Sequence, residues 1–314
     1  MSSWMTQEQI WQWRLSLEVK LRRLHGDGLQ DFFSTVMERG HKSDFIRVRP
    51  FGSLGDKGCD GYVCSTGQMY QCYGKVGDAA LNVGTITAKM KDDFAKADKN
   101  FGQTMKEWHF AHNFLDGVPS EVVSTLEELK ANNPKYKFGH AGQEWFVDKI
   151  FGLTESDIVE FLGPAATAEQ SHGLNMDEVK ELLASLTRDI DEAPIDEGNP
   201  RPVPVDKLEF NHLANHWRHF IRSGSPNAAH VAKYFDRHSN PELGKLVAKI
   251  FRDKYDVLKL QGLAANAIMS ELYKQTAGNG IVSPQRQVAV CAVLAYLFDS
   301  CDIFEERPTA AGAS

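Results

Sequence analysis

The sequence predicts an α/β N-terminal domain followed by an all-α helical C-terminal domain. Three short apolar or alternating segments between positions 45 and 73 predict strands, and helical periodicity flanks them. Residues 188–206 are rich in proline, aspartate and glutamate and lack a helical period, as is typical of a solvated linker. The chain after this linker has apolar stripes at helical spacing. With 314 residues, it is long enough for two domains.

The linker divides the chain into four parts. We predict an α/β domain over residues 1–187, the acidic linker over 188–206, a helical domain over 207–306 and a tail over 307–314. The α/β domain opens with two helices. The first runs from about residue 3 to residue 24 and stops at an HGDG turn. The second shows the i, i+3, i+4, i+7 apolar spacing and is closed by a glycine; its stripe is Leu29, Phe32, Phe33, Val36 and Met37.

The strands follow this second helix. The segments DFIRVRP, DGYVC and MYQCY are short and extended in character, which suggests a meander of three strands. A helix is expected over 80–101, a strand over 108–115 and a helix from Ser120, with two more helical pieces between 154 and 187. The predicted order is therefore helix, three strands, helix, strand.

The C-terminal domain is predicted to be a helical bundle. Its last helix, RQVAVCAVLAYLFDSCDIFEE, is apolar on most sides, and such a helix belongs in the middle of a bundle. In the preceding turn we expect Asn240 to be an N-cap, because Pro241 follows it.

Composition excludes several classes of function. The net charge of −7 argues against a chain coated in basic residues, although a local basic patch stays open. No apolar run is long enough to span a membrane, and the first residues lack a signal-peptide core, so we expect a cytoplasmic protein without a membrane partner. Five cysteines suit reduced thiols; Cys59, Cys64 and Cys72 lack the Cys-x-x-Cys spacing of a zinc site. There is no G-x-S-x-G elbow and no dinucleotide fingerprint.

One stretch carries candidate chemistry: FGSLGDKGCDGYVCSTGQMYQCYG, residues 51–74. It places Asp56 and Asp60 in a glycine-rich turn, followed by Gln71 in a strand. Hydrolysis of a phosphodiester with Mg²⁺ needs only one or two protein carboxylates, since the ion keeps most of its waters. If Asp60 and Gln71 share one face of the sheet, they can converge on a divalent ion. The alternative is a loop in which glycines and aspartates only cap strands.

The same stretch, with the helix before it, resembles the Mrr-like branch of the restriction-endonuclease fold and its PD-(D/E)xK signature. That resemblance covers roughly residues 26–115 and implies an α-β-β-β-α-β core. It also implies that Asp60 and Gln71 hold Mg²⁺ or Mn²⁺, with Asp56 assisting, in a deoxyribonuclease. Tyr73 departs from the signature, because it occupies the position of the lysine that stabilises developing charge.

Other side chains are candidates for the roles that this departure leaves open. Lys75, or Lys89 or Lys91 on the next helix, can supply the missing charge from another position. The acidic residue often found on the preceding helix is replaced by Gln30, with Asp31 beside it.

A second resemblance covers almost the whole chain. The blocks YQCYG, LGKLVAKIFRDKY and LAYLFDSCDIFEE look like proteins that carry the C-terminal domain of ABC-three component systems. The resemblance implies an effector subunit in anti-phage or anti-plasmid conflict, whose partners are an ABC ATPase, a small middle component and DNA. No G-x-x-x-x-G-K-[ST] motif is present, so this chain is expected to be a non-ATPase subunit. Homo-oligomerisation stays open.

Two alternatives to a nuclease remain. The fold can serve as a non-catalytic scaffold or DNA-binding adaptor that docks the ATPase, or the chain can be an interaction protein without a nucleic-acid role. Two further groups of polar residues could contact phosphate or instead be structural. They are His109, His112 and Asn113 near the motif, and His212, His216, Arg218, His219 and Arg222 in the helical domain.

Overall fold

The computed structural model describes residues 4–49, 57–75, 82–188, 207–278, 280–300 and 303–304. The chain forms two compact units. Unit 1 is built from Leu17–Phe161, and unit 2 combines Trp4–Ser16 with Leu162–Ser314. This division differs from the predicted boundary at 188; residues 189–206 of the predicted linker and the tail 307–314 lie outside the described residues, so both stay predictions. Among the helices of the described residues, none is long and apolar enough to cross a bilayer.

Unit 1 combines helices with one sheet. Helix α1 (Gln7–Arg23) contributes its residues from Leu17 onward. The other elements are α2 (Asp27–His41), β1 (Phe45–Arg47), β2 (Gly61–Val63), β3 (Gln68–Tyr73), α3 (Val83–Phe101), β4 (Glu107–His112), α4 (Ser120–Asn132), β5 (Lys137–Ala141), α5 (Gln143–Phe151) and α6 (Glu155–Leu162). From α2 to β4 this is the predicted order of helix, three strands, helix, strand.

The sheet is mixed, with the strand order β1-β2-β3-β4-β5. The first three strands pair antiparallel, whereas β3 with β4 and β4 with β5 pair parallel. A helix makes each parallel crossover, α3 between β3 and β4 and α4 between β4 and β5, as parallel pairing requires. The carboxyl ends of β3, β4 and β5 therefore lie together, at what we call the carboxyl end of the sheet. Because β2 is antiparallel to β3, the start of β2 lies at this end too.

Helices cover both faces of this sheet. On one face, Met69, Trp108 and Phe110 pack against α3 and α4 in one buried cluster. On the other face, Phe33 of α2 lies 5.1 Å from Tyr70 and 5.5 Å from Trp145 of α5, measured between ring centroids. Each such side chain contributes roughly 1.5–3 kcal/mol when it is fully buried. The two layers hold the carboxyl end of the sheet in a fixed position.

Unit 2 is helical throughout its described residues. It contains the first part of α1 and the helices α7 (Ala168–His172), α8 (Met176–Thr187), α9 (Lys207–Phe210), α10 (Asn215–Arg237), α11 (Leu243–Leu260), α12 (Ala265–Ala277) and α13 (Pro284–Asp299). Helix α13 is buried on nearly all sides, as predicted for the centre of a bundle. Helix α10 crosses it closely at Gly224, where a Cβ would lie 2.3 Å from the carbonyl oxygen of Cys291.

Three local predictions were wrong or incomplete. Strand β5 and helix α5 were not predicted, because the short segment KFGHA contains a glycine and buries only its last residue. Three helices, not two, begin between 154 and 187. Asn240 is not the N-cap of α11: its Oδ1 accepts from the backbone N–H of Glu242 at 2.9 Å, and the helix begins at Leu243.

Candidate functional site

Asp60 stands at the start of β2, at the carboxyl end of the sheet. Its backbone N–H donates to the carbonyl of Tyr70, and its own carbonyl accepts from Val48. The pairing of Gly61 with Tyr70 places Asp60 opposite Gln71 on β3. The backbone thus brings together the two residues that sequence spacing singled out. Both side chains are almost fully buried, at 3% and 2% exposure.

Two donors orient the carboxylate of Asp60. Gln30 of α2 donates from Nε2 to Oδ1 at 2.7 Å, and the backbone N–H of Cys72 donates to Oδ2 at 2.7 Å. These two bonds fix the direction of the carboxylate. Gln30, at the helix position where the resemblance places an acid, here acts as a donor to the aspartate.

Gln71 carries a buried side-chain oxygen on the neighbouring strand β3. Its Oε1 has no hydrogen-bond donor among the described residues. A buried acceptor without a donor is costly, and in native proteins such an atom calls for an explanation. One such explanation is that this oxygen is a ligand for a hard cation.

Helix α3 presses against the turn that leads into Asp60. Gly58 has φ +78°, and a Cβ at this position would lie 2.1 Å from the carbonyl oxygen of Asp93. Asp93 is itself only 3% exposed, and its Oδ2 lies 2.6 Å from Nζ of Lys89 one turn earlier. A second buried carboxylate and a lysine are therefore held close to the turn that carries Asp60.

The charges of Asp60 and Lys89 both affect the pKa of the Cys72 thiol. Burial raises the pKa of this thiol well above its ordinary value, the negative charge of Asp60 raises it further, and the positive charge of Lys89 lowers it. Of the three candidate lysines, Lys89 is the one whose charge acts on Cys72, the strand neighbour of Gln71.

The other two lysines have different surroundings. Lys91 pairs with Glu128 of α4 on an exposed surface, with 2.7 Å between Nζ and Oε2. Lys75 uses its backbone N–H to bond Oδ1 of Asn113. Asn113 in turn donates to the carbonyls of Leu21 and Leu24. It therefore ties α1 to the sheet, and we interpret Asn113 as structural.

Tyr73 fills the lysine position of the signature with an aromatic side chain. Its ring centroid lies 6.1 Å from that of Phe110 and 5.7 Å from that of Phe114. Tyr73 packs against the buried cluster under α3 and α4. This position now stabilises the core and supplies no cation.

The described residues partly fit a divalent cation. Asp60 and Gln71 offer hard oxygen ligands, which Mg²⁺ and Mn²⁺ prefer. The described part of the chain has no group of three or more His, Cys, Asp or Glu side chains suited to a metal. Mg²⁺ does not require one, because it keeps several waters. Asp56, the predicted assisting carboxylate, lies outside the described residues.

The histidines that the sequence singled out lie in different environments. On β4, His109 bonds Glu107 at 3.0 Å and stacks on Tyr70, whereas His112 stacks on Phe114. In unit 2 the predicted basic cluster is not one exposed surface. His216 is 7% exposed, and His219 stacks on Trp11.

Sequence reasoning missed Asp93 and the bonding role of Gln30. Asp93 carried one signal: its spacing of four residues after Lys89 on a helix predicts an ion pair. The contact of Gly58 with α3, which links this pair to the aspartate turn, depends on tertiary packing. Spacing alone could not reveal it.

Comparison with known families gives a match for the helical part of the chain. Residues 177–305 match the model of C-terminal domain 10 of the ABC-three component (ABC-3C) systems. This region is an ABC-3C C-terminal domain. The chain is thus a component of an ABC-3C system, a defence or conflict system. The match lies within unit 2, where it covers α8 through α13. Comparisons with curated proteins and with solved structures found no match.

Proposed function

We propose that the chain is the effector subunit of its ABC-3C system, and that unit 1 is a metal-dependent deoxyribonuclease with a restriction-endonuclease-like core. The element order from α2 to β4 and the mixed sheet support this proposal. The observation that carries it is that Asp60 and Gln71 face each other on neighbouring strands, where the side-chain oxygen of Gln71 has no donor among the described residues. The charges of Asp60 and Lys89, which both act on Cys72, support it further.

Each side chain has a distinct role in this proposal. Asp60 and Gln71 hold Mg²⁺ or Mn²⁺, which would activate water and neutralise phosphate charge. Lys89, oriented by Asp93, takes the role of the signature lysine and stabilises charge that develops during cleavage. Gln30 fixes the direction of the Asp60 carboxylate. The ABC-3C C-terminal domain docks the ATPase and the middle component in the cytoplasm, and DNA is the substrate.

A plasmid-nicking assay tests this function. The full chain is incubated with its partner proteins and Mg²⁺ or Mn²⁺. We expect Asp60→Asn to abolish nicking, and Lys89→Ala to reduce it by about 100-fold or more, as for the loss of one electrostatic stabiliser. Lys91→Ala is the matched control and should nick like the wild type. Equal nicking by wild type and Asp60→Asn, or none by either, would refute the nuclease.

A second function, a non-catalytic adaptor, has its own supporting observation. Tyr73 packs in the core, and both oxygens of Asp60 accept internal hydrogen bonds. In this alternative, unit 1 binds DNA or partners without cleaving. It predicts that Asp60→Asn retains protection of cells against phage. Loss of protection by a stably folded Asp60→Asn variant would favour the nuclease.

A further inference from the structure

The turn between β5 and α5 gathers donors that no part of the proposed catalytic site uses. Helix α5 has nine residues, and its N-cap Gly142 provides no side chain to cap the first turn. The first N–H groups of a helix have no partner within the helix and carry partial positive charge. A helix start of this kind favours an anion, although it does not by itself make a site.

His112 supplies an independent observation at the same place. It is the last residue of β4 and is only 2% exposed. Its Nδ1 accepts from the backbone N–H of Phe114 at 3.3 Å, which assigns the proton of a neutral ring to Nε2. This Nε2 has no hydrogen-bond partner among the described residues. Within the described part of the chain, His112 is therefore a buried donor that lacks an acceptor.

Both features meet at Gly142. A Cβ on Gly142 would lie 3.0 Å from Cε1 and 3.6 Å from Nε2 of His112, and 3.7 Å from Nδ1 of His140. The rings of His112 and His140 are stacked almost in parallel, with centroids 5.5 Å apart. His140 is exposed, so it flanks the turn on the solvent side. Because Gly142 has no side chain, the backbone at the start of α5 lies close to these nitrogens.

We propose that the β5–α5 turn binds a phosphate ester group, held by the first N–H groups of α5 and by Nε2–H of His112. A phosphate ester offers acceptor oxygens to the donors that converge from the helix start and from the His112 imidazole. Glu144 in the first turn of α5 is exposed, and its charge weakens anion binding. The turn lies at the carboxyl end of the sheet, as does Gln71. Its ligand is either a backbone phosphate of DNA or the terminal phosphate of a nucleotide.

Phosphate titration of the full chain tests this site without any divalent ion. In protein labelled with ¹⁵N-glycine, the amide signal of Gly142 is assigned by its disappearance in Gly142→Ala. We expect this signal to shift and saturate with inorganic phosphate. His112→Phe keeps the ring stacking but removes the donor, and should raise the half-saturating concentration about tenfold or more. His112→Gln, which restores an N–H of similar reach, should recover much of the affinity.

Controls separate this site from the nuclease. Asp60→Asn should bind phosphate like the wild type, so loss of nuclease activity leaves this result unaffected. His109→Gln, on the other face of β4, should also bind normally. A Gly142 signal that does not move, or that saturates identically in His112→Phe, would overturn the proposal.

Competition identifies the source of the phosphate. A short duplex without terminal phosphates that displaces inorganic phosphate indicates a DNA backbone ligand. Displacement by adenosine 5′-monophosphate alone indicates a nucleotide. If neither competes, the turn holds an adventitious ion only and the inferred site for a phosphate ester is wrong.

Discussion

The side-chain amide of Gln30 donates to Oδ1 of Asp60 at 2.7 Å, so helix α2 holds the central carboxylate through a neutral partner. Replacing this amide by a carboxylate would place two negative groups in contact. Like charges at such a distance repel strongly when they are buried. A divalent cation would relieve that repulsion.

Gln30→Glu should therefore make stability depend on metal. We expect a lower melting temperature than wild type without divalent ions, and a larger upward shift on adding Mn²⁺ or Mg²⁺ than wild type shows. Thermal unfolding with and without the ions measures both effects. Equal shifts in the two proteins would indicate that no cation binds between these groups.

Gly58→Ala should disturb the turn before Asp60. A side chain at φ +78° is strained, and its Cβ would lie 2.1 Å from the carbonyl oxygen of Asp93. We expect a loss of about 3 kcal/mol or more in the free energy of unfolding. Gly262→Ala is the matched control, because Gly262 has φ +77° with no atom within 4 Å. The loss of unfolding free energy in Gly262→Ala should reflect backbone strain alone. An equal loss in both variants would contradict the contact between Gly58 and α3.

Lys207→Met should destabilise unit 2. The ammonium group of Lys207 is fully buried and donates to the carbonyls of Phe298 and Ile303, at 2.7 Å each. Its removal leaves these buried acceptors without that donor, at a cost of about 3 kcal/mol. Lys245→Met removes only an exposed pair with Glu242 and should change stability by less than about 1 kcal/mol. Urea unfolding measures both.

His112 should make stability fall in mild acid. Burial, with a smaller effect of the charge on His140, lowers the pKa of His112 from 6.5 to about 4. Between these values the unfolded chain binds the extra proton. The stabilisation is therefore complete above about pH 6.5 and is lost as pH falls toward 4, up to about 3 kcal/mol. Unfolding of His112→Phe at several pH values should show a shallower slope than wild type; equal slopes would contradict this assignment.

Sequence patterns located most of unit 1 because its main elements have strong periodicity. Helix α2 and the strands around Asp60 follow from their apolar spacing, and residue spacing alone singled out Asp60 and Gln71. Strand β5 was missed because it is short and largely unburied. Asp93 and Gln30 reach Asp60 or its turn through contacts distant in sequence, which no local pattern encodes. For the same reason the donors at Gly142 appear only in three dimensions.

Helix α1 changes how the ABC-3C domain must be handled. Its residues up to Ser16 belong to unit 2, where Trp13 donates to the carbonyl of Gly163 and Trp11 stacks on His219. A fragment that starts after the acidic stretch would lack Trp11 and would expose the side of His219 that Trp11 covers. Such a fragment should aggregate unless the N-terminal peptide is supplied in trans. Expression designs for the isolated helical part therefore need the beginning of the chain as well as its end.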